Sequence, residues 1–288
     1  MLFCYKIAFS LDFYTKREYN VYISKKGWKT VKITALLENT AARADMQTEH
    51  GLSLYVETAT KKILFDMGQT SFFAENAEML GIDLADVDLA VLSHGHYDHG
   101  GGLAVFLEKN DHAPVFIHKD AFLPHYNGTQ KYIGLDTALA SHPRIVWTED
   151  AYRIDENLRL FSHIPKKIHL DFGSGGLTEK VGDAFIPDDF RHEQYLFVEE
   201  NGKRVLLSGC SHKGILDIAV QTAPDALIGG FHFSKLPLDE KLIEAAHILN
   251  GLPTDFYTCH CTGETPFDFM KQYMDRLQYL SCGMTITI

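Results

Sequence analysis

The segment Ser93-His94-Gly95-His96-Tyr97-Asp98-His99 gathers three imidazoles and a carboxylate within six residues. Imidazole nitrogen and carboxylate oxygen together suit Zn, Fe or Mn better than Ca or Mg. His94 and His96 are two apart, so on an extended backbone they point the same way. Asp98 and His99 follow a turn and can face a second ion. The plainer reading is a polar loop of hydrogen-bonded histidines. Gly100-Gly101-Gly102, directly behind, permits close backbone approach and a helix start.

Such a cluster needs a rigid frame, and the flanking sequence supplies one. Leu89-Ala90-Val91-Leu92-Ser93 reads as a buried strand ending just before the histidines. Stretches 31–38, 52–57 and 63–66 read as earlier strands, 72–80 as a helix closed by Gly81, and 103–107 as helical. Residues 115–118 suggest another strand. The region 119–190 is rich in Gly and Pro and reads as long loops that carry function or cover a site. Residues 195–208 form a hairpin signal, with Asn201-Gly202 at its turn. Beyond it come helix patterns at 215–221, 238–249 and 266–277, and strand patterns at 226–230 and 256–259. Strands with helices between them, in two similar halves, predict a layered α/β architecture. Residues 1–28 show no clean period and read as an N-terminal extension of uncertain structure; 29–288 read as the domain.

Composition narrows the function classes. With 27 Lys+Arg against 38 Asp+Glu, the 288-residue chain carries a formal charge of −11. That balance argues against nucleic-acid and membrane-surface partners, which favour a basic face. A small anionic substrate stays open, because bound cations supply local positive charge. No apolar run is long enough to span a bilayer, and the N-terminus does not resemble a signal peptide. Five Cys without framework spacing fit free thiols in a cytoplasmic protein.

The H-x-H-x-D-H pattern after an apolar strand, followed by Gly-Gly, resembles the metallo-β-lactamase fold superfamily. Asp66 in Leu64-Phe65-Asp66-Met67-Gly68 is similar to that superfamily's upstream strand-end Asp. Glu38-Asn39, His50-Gly51-Leu52-Ser53-Leu54, Ser208-Gly209-Cys210-Ser211-His212, Gly229-Gly230-Phe231-His232 and Cys259-His260-Cys261-Thr262-Gly263 resemble one branch. It is the branch of dihydropterin ribofuranosyl-aminobenzene phosphate synthase-like metal-dependent hydrolases. The resemblance implies an αββα sandwich: two mixed β-sheets, helices on the outer faces, and metals at one edge.

It also implies a ligand set. One ion would take His94, His96 and a third residue, for which His212 is preferred and His192 is the alternative. The other would take Asp98, His99 and His260. Cys210, where relatives carry a bridging carboxylate, is either a thiolate ligand or a small buried neighbour. Asp66 would orient an imidazole rather than bind an ion. Cys259 and Cys261 would point away from His260 and pack in the core. The histidines at 50, 112, 118, 125, 142, 163, 169 and 247 default to surface or loop roles, although one from the middle loops could line a pocket.

The activity implied is that of a metallo-hydrolase with two divalent ions, zinc first and Fe or Mn as alternatives. Hydroxide held between the ions would attack an ester-like bond, with a small-molecule phosphoester or phosphodiester preferred. Asp98 would hold the nucleophile's proton, and His232 would bind substrate or serve the leaving group. Alternatives are a transferase resembling the synthase, a lactone or thioester hydrolase, and a non-catalytic binding member. The sequence assigns no oligomeric state.

Overall fold

Period-two alternation along short apolar strands sets the layering. In the strand Lys62–Phe65, Ile63 and Phe65 face one side and Leu64 the other. Ile33, Val56, Phe65 and Val91 meet Leu160, Leu196, Val205 and Ile228 in a core between two sheets. Leu64, Ala90 and Leu92 pack instead with Phe73, Ala77 and Phe106, from helices Phe72–Met79 and Leu103–Lys109. Leu206 and Leu227 are covered in the same way by Ile218, Leu242 and Leu249, from helices Ile215–Thr222 and Glu240–Asn250. Each fully buried Leu or Phe contributes roughly 1.5–3 kcal/mol. The product is the expected αββα sandwich, in a computed structural model that describes residues 30–165, 170–173 and 175–288. The extension expected at 1–28 lies outside the described residues.

The first sheet orders its strands as Thr285–Thr287, Lys32–Leu37, Ser53–Glu57, Lys62–Phe65, Leu89–Val91, Val115–His118 and Ile145–Thr148. The second runs Leu277–Tyr279, Asp255–Thr258, Ala226–Gly229, Lys203–Leu207, Tyr195–Glu200, Leu158–Phe161 and Ala151–Arg153. Both are mixed. Lys62–Phe65, Leu89–Val91 and Val115–His118 are parallel neighbours, as are Lys203–Leu207, Ala226–Gly229 and Asp255–Thr258. The segments holding Asp66, residues 93–99, residues 208–212, His232 and His260 all follow carboxyl ends of these parallel strands. In open α/β sheets that edge is where ligands bind.

The expected hairpin forms, with Asn201 at φ 52° and Gly202 at φ 76°, as a tight turn between twisted strands requires. One expectation is refined and one corrected. Residues 119–190 are loop-rich as expected, but the loops are threaded by short strands. His125–Asn127, Lys131–Tyr132, Leu177–Val181 and Ala184–Pro187 make a small third sheet, and other short strands join the main ones. Their Gly and Pro punctuate strands too short to show a period. The last helix spans Glu264–Lys271, and Leu277–Tyr279 is a strand. Met270, Met274 and Leu277 are buried in one cluster, so their spacing resembled a helix that the chain had already left. Among the described residues no helix is long and apolar enough to cross a membrane.

Candidate metal centre

The strand Lys62–Phe65 delivers Asp66 to the edge with φ 61°, a left-handed conformation that Asp tolerates better than most residues. Its buried carboxylate accepts the Ser93 N–H at 2.7 Å, the Ser93 O–H at 2.7 Å and the His99 Nδ1–H at 2.7 Å. Ser93 has then spent its only hydroxyl hydrogen. It must accept from His94 Nδ1–H, 2.8 Å away, which leaves His94 Nε2 as a bare lone pair. His99 Nδ1–H on Asp66 likewise turns His99 Nε2 inward, where it becomes a free lone pair once its own hydrogen is shed. His260 Nδ1 lies 2.9 Å from Asn39 Oδ1, which bares His260 Nε2. Outer partners thus select the tautomers whose free nitrogens point inward.

Of the extended backbone expected for His94 and His96, His96 is extended, whereas the chain bends at His94 and Gly95. His96 has φ −100° and ψ 146°, and the two rings meet with centroids 4.6 Å apart. Gly95 between them is required. A Cβ there would stand 2.0 Å from the Ala121 carbonyl oxygen.

Ligand atoms of His94, His96 and His212 all lie within 4.8 Å of one another. His94 Nε2, His96 Nε2 and both His212 ring nitrogens are buried without any hydrogen-bond partner. The His212 backbone N–H is fixed by the buried Glu193 carboxylate at 2.8 Å, and its ring stacks on Phe190 at 4.4 Å. Beside this triad, His99 Nε2 sits 3.1 Å from His260 Nε2, and Asp98 Oδ2 sits 3.6 Å from the same His260 atom. Cys210 Sγ is 3.2 Å from His99 Nε2 and within 4.8 Å of a His94 nitrogen, so it lies between the two groups.

Electrostatics match these positions. Burial pushes His94, His96, His212 and His260 well below the ordinary imidazole range, so they are neutral near pH 7. His99 goes the other way, to about 9; burial opposes its charge, but Asp66 outweighs burial. Asp98 is held well below the usual carboxylate range; burial would raise it, but His50 and the surrounding imidazoles prevail. Burial pushes the Cys210 thiol up. Burial acts likewise on Cys261, but hydrogen bonding with Cys210 and His232 brings that thiol down. Converging lone pairs without a donor are unfavourable unless a cation accepts them. The residues therefore fit a divalent metal.

His192 is placed differently. Its Nδ1 accepts the Gly95 N–H at 2.9 Å, so its hydrogen resides on Nε2, which faces Asp188 Oδ2 at 3.4 Å. With Nδ1 already accepting, Nε2 could bind an ion only if the ring became an imidazolate. His192 therefore braces the His94–His96 segment, while His212 presents free nitrogens to it. Asp188 also accepts His125 Nδ1–H at 2.7 Å. His96, His125, Asp188 and His192 also converge within 4.8 Å, and the Nε2 atoms of His96, His125 and His192 are buried without a hydrogen-bond partner, but the Gly95 N–H on His192 Nδ1 fixes the hydrogen of that ring on Nε2.

Several side chains escaped the sequence reading. His125 and His118 are buried rather than superficial. His50 is exposed, as expected of a loop residue, yet its Nε2 reaches Asp98 Oδ2 at 3.1 Å. Cys261 does not point into the core away from the site. A short 3-10 turn, His260–Thr262, with His260 at φ 50°, swings its sulfur beside Cys210 and His232. Cys259 does pack in the core. Glu38 and Asn39, visible only as a motif, hold His260 by its N–H at 3.0 Å and by its Nδ1. His232, at φ 59°, lies with its ring 4.3 Å from that of His212. A cavity of about 580 Å³ opens over these groups, lined also by Phe172, Phe190 and Phe233 and by the exposed Lys131 and Lys235.

Layered sheets with a His/Asp cluster at the carboxyl edge define a metal-binding hydrolase-type scaffold. The metallo-β-lactamase superfamily model matches residues 47–248, and the chain belongs to that superfamily. It is 30% identical to uncharacterized protein MJ0448 of Methanocaldococcus jannaschii, over 80% of this chain and 90% of that protein. It is 26% identical to the same organism's 7,8-dihydropterin-6-methyl-4-(beta-D-ribofuranosyl)-aminobenzene-5'-phosphate synthase, over 89% of this chain and 96% of the synthase. Among solved structures it is similar to Tm1679, described as a metal-dependent hydrolase of the beta-lactamase superfamily. There the TM-score is 0.75 and the identity 27%, covering 90% of this chain and 99% of that one.

Two outcomes follow from the geometry. His212→Ala should lose an ion outright, whereas His192→Gln should keep the ion count and bind about 10–100-fold more weakly. Elemental analysis and chelator competition read both, and equal ion loss in the two variants would contradict the assignment. Below its pKa of about 9, His99 must shed a proton to accept an ion. Proton release on metal uptake should therefore decline as pH rises through about 9. In Asp66→Asn, which no longer holds that proton, release at pH 7 should fall, as calorimetry in buffers of different ionisation enthalpy would record.

Proposed function

We propose that the chain is a hydrolase with two divalent ions, zinc first among them, acting on a small anionic phosphoester or phosphodiester. The observation that carries this reading is the pair of adjacent donor groups, His94/His96/His212 and Asp98/His99/His260, with Cys210 between them. What such ions supply when bound is acidification of water and polarisation of the scissile oxygen.

The chain's own residues then do the positioning. The depressed carboxyl of Asp98 makes it a poor store for a proton. It is placed as an acceptor that orients water beside the ions. His232 borders the cavity next to His212 and is placed to give a proton to a departing oxygen. Lys213 does not face substrate, because its Nζ donates to the Ser162 and Glu193 carbonyls at 2.6 and 2.8 Å. Lys131 and Lys235 remain as the cavity-lining cations for an anion, and Asp171, Asp189 and Asp217 dilute their effect. Most of the attraction for phosphate would thus come from the ions.

A second reading is transfer onto an aromatic acceptor. The relationship to the synthase supports it, as does the Phe172/Phe190/Phe233 wall, which suits an aromatic ring. Zinc-loaded protein tested on aryl phosphodiesters, phosphomonoesters and lactones, with and without aromatic amine acceptors, separates these readings. Release of product to water from the phosphodiester is the expected result. Inactivity across all the esters, at full ion loading, would sink the hydrolase reading. His232→Gln should slow substrates with alkoxide leaving groups about 10²–10⁴-fold and barely affect nitrophenolate leaving groups. An equal loss on both would remove His232 from the proton-donating role.

A further inference from the structure

The mechanism above leaves Cys261 without a task, yet its location is specific. Its sulfur lies within 4.8 Å of Cys210 Sγ and of a His232 ring nitrogen. It donates to the Cys210 carbonyl oxygen at 3.6 Å and accepts the His232 N–H at 3.2 Å. Gly230 makes room for it, since a Cβ there would stand 2.3 Å from this sulfur. Both Cys210 and Cys261 line the cavity, so a small solute reaches them although each is only 3% exposed. The remaining described cysteines are differently placed. Cys259 is sealed in the inter-sheet core, and Cys282 exchanges hydrogen bonds with the Glu38 backbone.

We propose that Cys210 and Cys261 form an oxidisable dithiol, a covalent modification site whose disulfide state withdraws Cys210 from the ions. The proposal rests on the reading that Cys210 faces those ions. The oxidant is a hydroperoxide. One thiolate attacks a peroxide oxygen, the O–O bond breaks, hydroxide leaves and a sulfenic acid forms. The other thiol attacks that sulfur, an S–S bond forms and water departs with the thiol's proton. Both sulfurs are oxidised, and one peroxide is reduced. A disulfide sulfur carries no anionic charge, so the position between the two donor groups loses its ligand.

The test uses the full chain, both stripped by chelator and zinc-loaded. Each sample is treated with hydrogen peroxide, alkylated, digested without reductant and mapped by mass spectrometry. The expected result is a Cys210–Cys261 cross-linked peptide, an intact mass lower by two hydrogens, and recovery of both thiols with dithiothreitol. The zinc-loaded sample should release zinc in step with cross-linking, as a chromogenic chelator reports. Recovery of Cys210 and Cys261 as separately alkylated or sulfinic species, or a cross-link to another cysteine, overturns the proposal. Cys261→Ser, whose hydroxyl can still accept the His232 N–H, should slow peroxide-driven zinc release about tenfold or more. Mapping of the unsubstituted chain decides the matter should that variant fail to fold. The stripped sample needs no catalysis, so a failed hydrolase reading would leave this result standing, and turnover without a cross-link would sink the dithiol alone.

Discussion

The Asp66 carboxylate is the constraint on which the site depends. It is fully buried, and an unpaired carboxylate there would be prohibitively unfavourable. Ser93 and His99 satisfy it, and through Ser93 it reaches His94. Satisfying one oxygen pair therefore fixes three segments together: the end of Lys62–Phe65, the turn after Leu89–Val91 and the short helix Tyr97–Gly100. The left-handed backbone at Asp66 persists because neighbours on both sides determine it. Its N–H bonds the Val91 carbonyl at 2.9 Å, and its own carbonyl accepts the Ser53 hydroxyl at 2.8 Å.

From this anchor the logic spreads outward by tautomer. Each imidazole bound on one nitrogen by the frame offers the other to the interior, and neutral rings pack together without mutual charge repulsion. His99 departs from the pattern because Asp66 keeps it charged. Cys210 is the softest member of the group. Its position between the triads is the place where one change of oxidation state reaches both.

The histidine cluster, Asp66 and the layered core were legible because each is written locally: a dense motif, a strand end, a period-two alternation. The choice between His212 and His192 was not, because it turns on a hydrogen bond from Gly95 to a residue 97 positions away. His50, His125, Asp188 and Glu193 stand in loops or short strands where no periodicity exists to mark them. Cys261 was misjudged because an extended chain was assumed, and one positive φ at His260 rotates the next side chain toward the site. Glu38-Asn39 was visible as a motif, but its purpose emerges only when residues more than 200 positions apart meet.

The small third sheet links substrate room to ligand geometry. Asp188 follows its edge strand Ala184–Pro187, and His125 opens its strand His125–Asn127. Asp188 joins His125 to His192, and His192 holds Gly95 between two candidate ligands. The same Asp188 accepts the Phe190 N–H at 2.7 Å through its other oxygen. Phe190 is at once a wall of the cavity and the surface on which His212 stacks. One carboxylate thus ties the insertion that shapes the cavity to imidazoles on both main sheets. A substrate that displaces Phe190 must act on His212 through the stack and on the His94–His96 turn through Asp188. Changes in the insertion would therefore alter ion geometry and specificity together, so one sandwich can be turned to different ligands through a segment outside its two main sheets.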